Sequence, residues 1–444
     1  MASTIILPMQ TQALPGFRDF YPADFALRDY IFRTWRQVAA RYGFEEYDGP
    51  PLEPLELYTA KSGEEIVGQL YSFTDKGGRE VSLRPEMTPT LARMVAARAN
   101  GLKKPIRWFS IPQLFRYERQ QRGRLREHFQ LNCDLIGESG HLADAEIIAL
   151  AIDAVRAFGL GPENFRARLS DRRLLSALLG ELGVSEAQTG TVYQVFDKLR
   201  RTPEEVSLRR LVDGGLNRGT AELLLELARA RSWERLAGMD SSLTRVLGEG
   251  ESLRRTFEAL RAMGFGDYLD LDLGIVRGLA YYTGTVFELF DSEGELRAIC
   301  GGGRYDNLLQ SLGGVDLPAL GFGMGDVVLG ELLRERGLAP LAEPTVDVFL
   351  AAISQDDITE ILGLARELRD AGLRVEYALA PQAVGKQLKL ADTRGARVAI
   401  VVGPDDRARG EVMVKDLRGK GQVSVARASV ADHVAEVVRG ALSP

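Results

Sequence analysis

The chain has 444 residues, 45% of them hydrophobic and 27% charged, with a formal net charge of -6 and an isoelectric point near 5.5. That length exceeds what one hydrophobic core usually supports, so two or three domains are expected. The acidic balance excludes a protein that coats nucleic acid through a generally basic surface, because phosphate binding needs clustered Lys and Arg; any anion site must be local.

Cys133 and Cys300 stand outside any CxxC pattern, and the three histidines, His128, His141 and His433, are scattered. Neither a disulfide framework nor a structural zinc site is expected. The opening "MASTIILPMQTQALPGF" has no basic stretch followed by a long apolar one, and no run approaches the roughly 18 apolar residues of a membrane span. A cytoplasmic protein with no membrane contact is the expectation.

In chain order, "PADFALRDYIFRTWRQVAARY" (22–42) has apolar residues near helical spacing, Pro22 at its start and Gly43 just past its end, and predicts an amphipathic helix. "GFEEYDGPPLEPLELY" then breaks into an extended, proline-punctuated segment. Short strand-like runs follow in "QLYSFTD", "EVSLRPEM", "IRWFSIPQLFRYE" and "HFQLNCDLIG", separated by turn signals, which favours an antiparallel sheet. "DAEIIALAIDAVRAFG" reads as a helix. From about 171 to 262 the chain is mostly Leu, Ala, Arg and Glu at helical spacing, and predicts a helical insertion. Strand character returns in "YLDLDLGIVRGLAYYTGTVFELFD" and "RAICGGGRYDNLL", before "LGFGMGDVVLGELLRERG" turns into a helix. A linker is expected at 336–345. Beyond it, strands and helices alternate through 346–444, which predicts a separate α/β domain of ordinary size.

Three stretches could carry chemistry. "FRYERQQRGRLREHFQ" (115–130) puts Arg116, Arg119, Arg122, Arg124 and Arg126 within sixteen residues of an acidic chain. As a strand it would send Arg116 and Glu118 to one face, turn at Gly123, and bring Arg124 and Arg126 back on a common face. Such a loop suits bidentate capture of a polyphosphate, and equally suits a solvated, salt-bridged hairpin. In "LRPEMTPTLARMV" a carboxylate at Glu86 could bind a cationic amine, while Thr88 reads equally well as a helix N-cap. Arg277 stands between glycines in the otherwise apolar "LDLGIVRGLAYYTGTVFELF", where a permanent charge needs an anion to meet it, substrate or structural. "CGGGRYDNLL" alone is a glycine loop with Arg304, Tyr305 and Asp306. "GFGMGD" lacks the spacing and βαβ context of a dinucleotide fingerprint.

Taken together and in this order, these stretches resemble the histidyl-tRNA synthetases, a group of class II aminoacyl-tRNA synthetases, over nearly the whole chain. "YGFEEYDGPPLE" resembles motif 1, with Pro50 at the proline of the dimer interface. "FRYERQQRGRLREHFQ" resembles motif 2, which clamps ATP. "VRGLAYYTGTVFE" and "GGGRYDNLLQSLGG" resemble the two peptides particular to the histidine enzymes, and "KQLKLADTRGARVAIVVGPDDRARGEVMVKDL" resembles their anticodon-binding domain. The implied fold is an α+β catalytic domain with an antiparallel sheet over 1–335, interrupted by the helical insertion, followed by an α/β anticodon-binding domain.

The resemblance implies a homodimeric ligase that uses ATP and Mg2+ to activate L-histidine and then charges tRNA(His). It assigns catalysis to Arg277 and Arg116, ATP binding to Arg116, Glu118 and Arg124, and histidine binding to Glu86, Thr88, Gln130, Asp134, Arg277, Tyr281, Tyr282 and Tyr305, with no resident metal. Lys386, Lys389, Arg394, Lys415 and Arg418 are nominated as anticodon-side phosphate contacts. The arginine-rich "DKLRRTPEEVSLRRL" would approach the acceptor arm or simply form a solvated face.

Three departures stand out. Asp134 replaces the usual Glu that reads the imidazole, Ala280 replaces an acidic residue, and Val327 and Val328 fill the Glu-Arg positions of motif 3, whose arginine normally reaches adenine and the γ-phosphate. Arg122 or Arg124 is expected to supply the missing contact. The missing arginine favours an alternative, a catalytically silent regulatory subunit of ATP phosphoribosyltransferase. The retained Arg116 and Arg277 and the C-terminal domain favour the ligase. A histidine-sensing module would need a fused effector domain that this chain does not carry.

Overall fold

The structure is a computed structural model that describes residues 11–59, 67–118, 123–239, 243–276, 282–293, 297–340, 345–419 and 421–439. The chain divides into two compact units after residue 340. Positions 341–344, inside the expected linker, lie outside the described residues.

The first unit opens with the helix Pro22–Arg41, which buries Leu27, Ile31, Thr34, Trp35, Val38 and Ala39 on one stripe and stops before Gly43 at φ +73°. Its sheet comprises β1 (Glu45–Glu46), β5 (Ile106–Ser110), β7 (Glu127–Ile136), β12 (Ala319–Gly325), β11 (Cys300–Arg304), β10 (Thr285–Asp291), β8 (Phe165–Asp171) and β9 (Leu269–Leu271) in that spatial order, with β6 (Gln113–Phe115) also on β7. A smaller sheet pairs β4 (Glu80–Leu83) with β2 (Leu52–Pro54) and β3 (Tyr71–Thr74). The large sheet is antiparallel at its centre, as expected, but β1 pairs with β5 and β8 with β9 in parallel. Both parallel pairs join strands far apart in sequence, and parallel pairing requires such long crossovers.

Alternation divides the two faces of this sheet. Leu131, Cys133 and Leu135 of β7, Phe287 and Leu289 of β10, and Ala167 and Leu169 of β8 enter the main core with Ile147, Ile148 and Ala151 of the helix His141–Arg156. The intervening residues face the other way and line a large cavity. Between β8 and β9 the described residues form six helices from Arg172–Glu181 to Glu251–Ala262, together with short 3-10 turns. Asp171, fully buried, caps the first by accepting from the backbone N–H groups of Arg173 and Leu174 at 2.8 and 3.2 Å.

The arginine-rich stretch departs from its expected strand. Regular pairing ends at Phe115 and resumes at Glu127. The Arg116 N–H still donates to Arg126 O, but the Tyr117 N–H turns to Gln69 O and the Glu118 N–H folds back to Arg116 O. Arg116 and Glu118 nevertheless both line the cavity, as alternation expects, with Tyr117 turned to Tyr71 and Arg126; Arg124 lines the cavity and Arg126 does not, so their expected shared face does not hold. Arg119 and Arg122 lie outside the described residues.

The second unit has the α/β architecture expected. β13 (Val348–Ala352) is flanked in parallel by β14 (Val375–Tyr377) and β15 (Val398–Val402), and β16 (Glu411–Asp416) and β17 (Gln422–Ala426) extend the sheet antiparallel. Every residue of β13 is buried. Val348 and Leu350 pack with Leu364 and Leu368 of the helix Ile358–Asp370, whereas Phe349 packs with Ala391 of the helix Val384–Thr393. That two-sided burial explains the unbroken apolar run "VFLAA". The unpredicted β17 is an edge strand with mostly exposed side chains, and the short alternation of Gln422, Val423, Ser424 and Val425 was the signal that could have found it.

Candidate active site

The polar face of the large sheet floors a cavity of about 1250 Å³. His128, Gln130, Asn132 and Asp134, at every second position of β7, line it. Opposite Asp134 stands Gly321 of β12, and opposite Asn132 stands Gly323. A Cβ on Gly321 would lie 2.2 Å from Asp134 Oδ1, and one on Gly323 would lie 2.6 Å from the Gln130 side chain. The glycines of "GFGMG" thus give the polar side chains of β7 room to lean across the sheet.

Asp134 is buried, and burial pushes its carboxyl up to about 7 against the opposing effect of a hydrogen bond donated by Tyr305 Oη to Oδ1. Tyr305 is held because Arg304, immediately before it, points the other way. Arg304 makes a fully buried bidentate pair with Asp144 of the helix His141–Arg156 at 3.0 and 3.1 Å and a further bond to Asp306 at 3.1 Å. In "GGGRYD" the arginine is therefore structural and the tyrosine faces the cavity.

Glu86 and Thr88 line the cavity where the chain enters the helix Thr88–Arg98. Thr88 is the first helical residue and Met87 occupies the N-cap position with no side-chain cap, so the N-cap reading of Thr88 is corrected. The neighbouring Arg84 is buried and clamps Asp48 Oδ1 at 2.8 Å, Gly49 O at 2.7 Å and Gln113 O at 3.0 Å, which fixes the approach of Glu86. Arg116 donates from Nε to Pro85 O at 2.9 Å, tying the arginine-rich segment to that same turn. Glu118, buried, pairs with Arg124 Nη1 at 2.7 Å.

Nine of the residues singled out from the sequence, Glu86, Thr88, Arg116, Glu118, Arg124, Gln130, Asp134, Tyr282 and Tyr305, line this one cavity. Arg277 and Tyr281 lie outside the described residues, as does Ala280. Pro50 is exposed in the turn before β2.

Sequence reasoning missed a row that runs across the sheet: Gly301 of β11 opposes Glu288 of β10, which opposes Arg168 of β8, whose guanidinium lies 4.3 Å from the Phe290 ring centroid. The signal available was charge at alternating positions within otherwise apolar strands, Arg166 and Arg168 in "FRARLSD" and Glu288 in "TVFELFD". His128 was also missed as a lining residue. Burial, then Arg116 and Arg18, push its imidazole down to about 3, so it is neutral at physiological pH. Arg172, Lys198, Arg201 and Arg231 of the helical insertion add positive charge to the rim. Val327 and Val328 form part of the wall, next to Arg297. Among the described residues no three metal-ligating side chains converge.

Residues 16–326 match the family model described as histidyl-tRNA synthetase, and 347–437 match that of an anticodon binding domain. A histidine--tRNA ligase of Opitutus terrae is 47% identical over 425 residues, covering 94% of this chain and 97% of that protein. One of Leptospira biflexa serovar Patoc is 40% identical, covering 93% and 95%, and the chloroplastic/mitochondrial histidine--tRNA ligase of Arabidopsis thaliana is 39% identical, covering 92% and 84%. The crystal structure of histidyl-tRNA synthetase from Nostoc sp. PCC 7120 superposes with a TM-score of 0.83 at 26% identity, covering 97% of this chain and all of that one. Agreement in sequence and fold places this chain in the histidyl-tRNA synthetase family.

Proposed function

We propose that the chain activates L-histidine with ATP and transfers the histidyl group to the 3' end of tRNA(His), with both reactions in the cavity between β7 and the helical insertion. The observation that carries this reading is the buried Asp134–Tyr305 pair on the cavity floor, in a wall shared with Glu86 and Arg116. Ionised, Asp134 can accept an imidazole N–H, and Tyr305 supports that form by donating to it. Glu86 suits the α-ammonium, with Thr88, Gln130 and Tyr282 as neighbouring polar contacts. Pocket depth and a carboxylate that must find a donor together reject side chains without a ring N–H.

Arg116 suits the site where the histidine carboxylate attacks the α-phosphorus. One carboxylate oxygen forms the new P–O bond, the bond to pyrophosphate breaks, and negative charge spreads over phosphate oxygens that guanidiniums stabilise. In the second step a ribose hydroxyl of the tRNA attacks the acyl carbon and AMP leaves. Neutral His128 can donate or accept a hydrogen bond there but carries no charge to the phosphate. Arg277 keeps its role from the family resemblance. Magnesium would arrive with the triphosphate, coordinated by its oxygens and water; Glu118 and Glu288 are carboxylates of the cavity that could add to that shell.

The first unit would carry this chemistry as a catalytic domain with a helical insertion, and the second would bind the anticodon. In the second, Lys386 and Lys389 share an exposed helical face, while Arg394 already pairs with Glu376 at 3.3 Å. A homodimer across the exposed turn at Pro50 and a cytoplasmic location belong to the same reading. No helix among the described residues is long and apolar enough to cross a membrane. The regulatory-subunit alternative has nothing further in its favour.

Histidine-dependent exchange of pyrophosphate into ATP, followed by charging of tRNA(His), tests the proposal. No exchange with protein that binds both histidine and ATP would overturn it.

A further inference from the structure

Val327 and Val328 leave the cavity wall without the arginine that motif 3 ordinarily supplies, and the geometry of β11 and β12 indicates where a replacement stands. These strands pair antiparallel with Arg304 opposite Leu320 and Cys300 opposite Met324. β12 ends at Gly325, and Val327 and Val328 then open the helix Asp326–Glu335, while Arg297 precedes the first residue of β11 by three positions. Arg297 lines the cavity together with both valines. A Cβ built on Gly123 would lie 3.3 Å from Val328 Cγ2 and 3.9 Å from Arg297 Cδ. The turn of the arginine-rich segment, the valine wall and the stem of Arg297 therefore meet at one point.

The charge around that point is arranged for an anion. Arg297 is half-buried, and the groups that act on it are Arg124, Glu118 and Arg201. Of these, Arg124 already engages Glu118 at 2.7 Å. Partial burial and the guanidiniums of Arg124 and Arg201 oppose the charge on Arg297 while Glu118 favours it, and an anionic ligand bridging Arg297 and Arg124 would add to that favourable side. The distance also fits: β12 runs four residues from Gly321, opposite Asp134, to Gly325, which at about 3.3 Å per residue separates the two ends of the cavity by roughly 13 Å before Val327 is reached. Arg297 thus lies at the far end from the histidine-reading pair, where a triphosphate extended away from the α-phosphorus would arrive.

We infer that Arg297 binds the outer phosphates of ATP, taking in this chain the place that Val328 vacates in motif 3. The inference rests on the proposed activation of histidine by ATP and adds a residue to it. It replaces the expectation that the motif 2 loop alone, through Arg122 or Arg124, supplies the contact.

The test compares ATP with AMP, which lacks the outer phosphates, in equilibrium binding to wild type, Arg297→Ala, Arg297→Gln and Arg297→Lys. Both neutral variants should weaken ATP binding by about 10- to 100-fold and leave AMP and histidine binding unchanged, with Arg297→Lys in between. Val328→Arg placed in the Arg297→Ala background should restore part of the ATP affinity. Unchanged histidine binding certifies the fold of each variant. Equal losses of ATP and AMP, or no loss of ATP, would overturn the assignment. A selective loss of ATP in a protein whose wild type shows no histidine-dependent exchange would sustain Arg297 as a phosphate ligand while sinking the activation reading.

Discussion

The two ends of the cavity solve opposite electrostatic problems. At the Asp134 end a single carboxylate is buried, pushed up to about 7, and held by one tyrosine over a floor of glycines. At the Val328 end several arginines stand together, half exposed, with Glu118 as a buried counter-charge. Selecting a small neutral ring calls for a dry, shaped pocket in which one hydrogen bond is strong. Binding a polyanion calls for many donors at modest burial, because the ligand brings the neutralising charge. The difference explains why substitutions at the first end should act through shape and protonation, and those at the second through charge alone.

The largest expected effect comes from the support beneath the first end. Asp144→Ala leaves the buried Arg304 without its bidentate partner and should cost roughly 3–5 kcal/mol of stability. Denaturant unfolding measures this, and the histidine KM of the fraction that stays folded should rise, because the Arg304–Asp144 pair anchors the strand end that holds Tyr305 against Asp134. Gly321→Ala comes next. The added methyl group meets Asp134 Oδ1 at 2.2 Å and Cys133 O at 2.7 Å, so histidine activation should fall by about 100-fold with ATP binding preserved. A normal rate in pyrophosphate exchange would show that the trough is not used. Glu86→Gln removes a charge-assisted partner of the ammonium and should lower kcat/KM for histidine by roughly 10- to 100-fold, with a smaller change for ATP.

The smallest expected effect is in pH dependence. Asp134 ionises near 4 when unfolded and about 7 when folded, so the ligand-free protein holds an extra proton between those values. The stability contributed by the neutral carboxyl is complete below about pH 4 and is lost as the pH rises through 7. Asp134→Asn should flatten this component of the melting temperature between pH 5 and 8; an unaltered slope would contradict the buried, protonated state.

Residues with local signatures were legible in the sequence. The stripe of Leu27, Ile31, Trp35 and Val38 announced its helix, and the unbroken "VFLAA" announced a strand covered on both faces. Glu86, Arg116, Asp134 and Tyr305 were found through motif order, which no single stretch could have supplied. The regular strand expected from Arg116 onward breaks at Tyr117, which bonds to Gln69 instead of the returning strand, a tertiary choice that local alternation does not encode, although Arg116 and Glu118 still share the cavity side. Arg168, Glu288 and Arg297 escaped notice because the meaning of each charge depends on neighbours far away in sequence. Arg304 and Tyr305 are adjacent in sequence and opposite in role, a division that only the strand's two faces reveal.

The most direct measurement of the account is equilibrium binding of histidine and of ATP, separately, to wild type, Asp134→Asn and Arg124→Ala. A cavity with two specialised ends predicts that Asp134→Asn loses about 10- to 100-fold in histidine affinity and keeps ATP, and that Arg124→Ala loses ATP affinity and keeps histidine. Parallel losses of both ligands in either variant, or no loss in both, would contradict it.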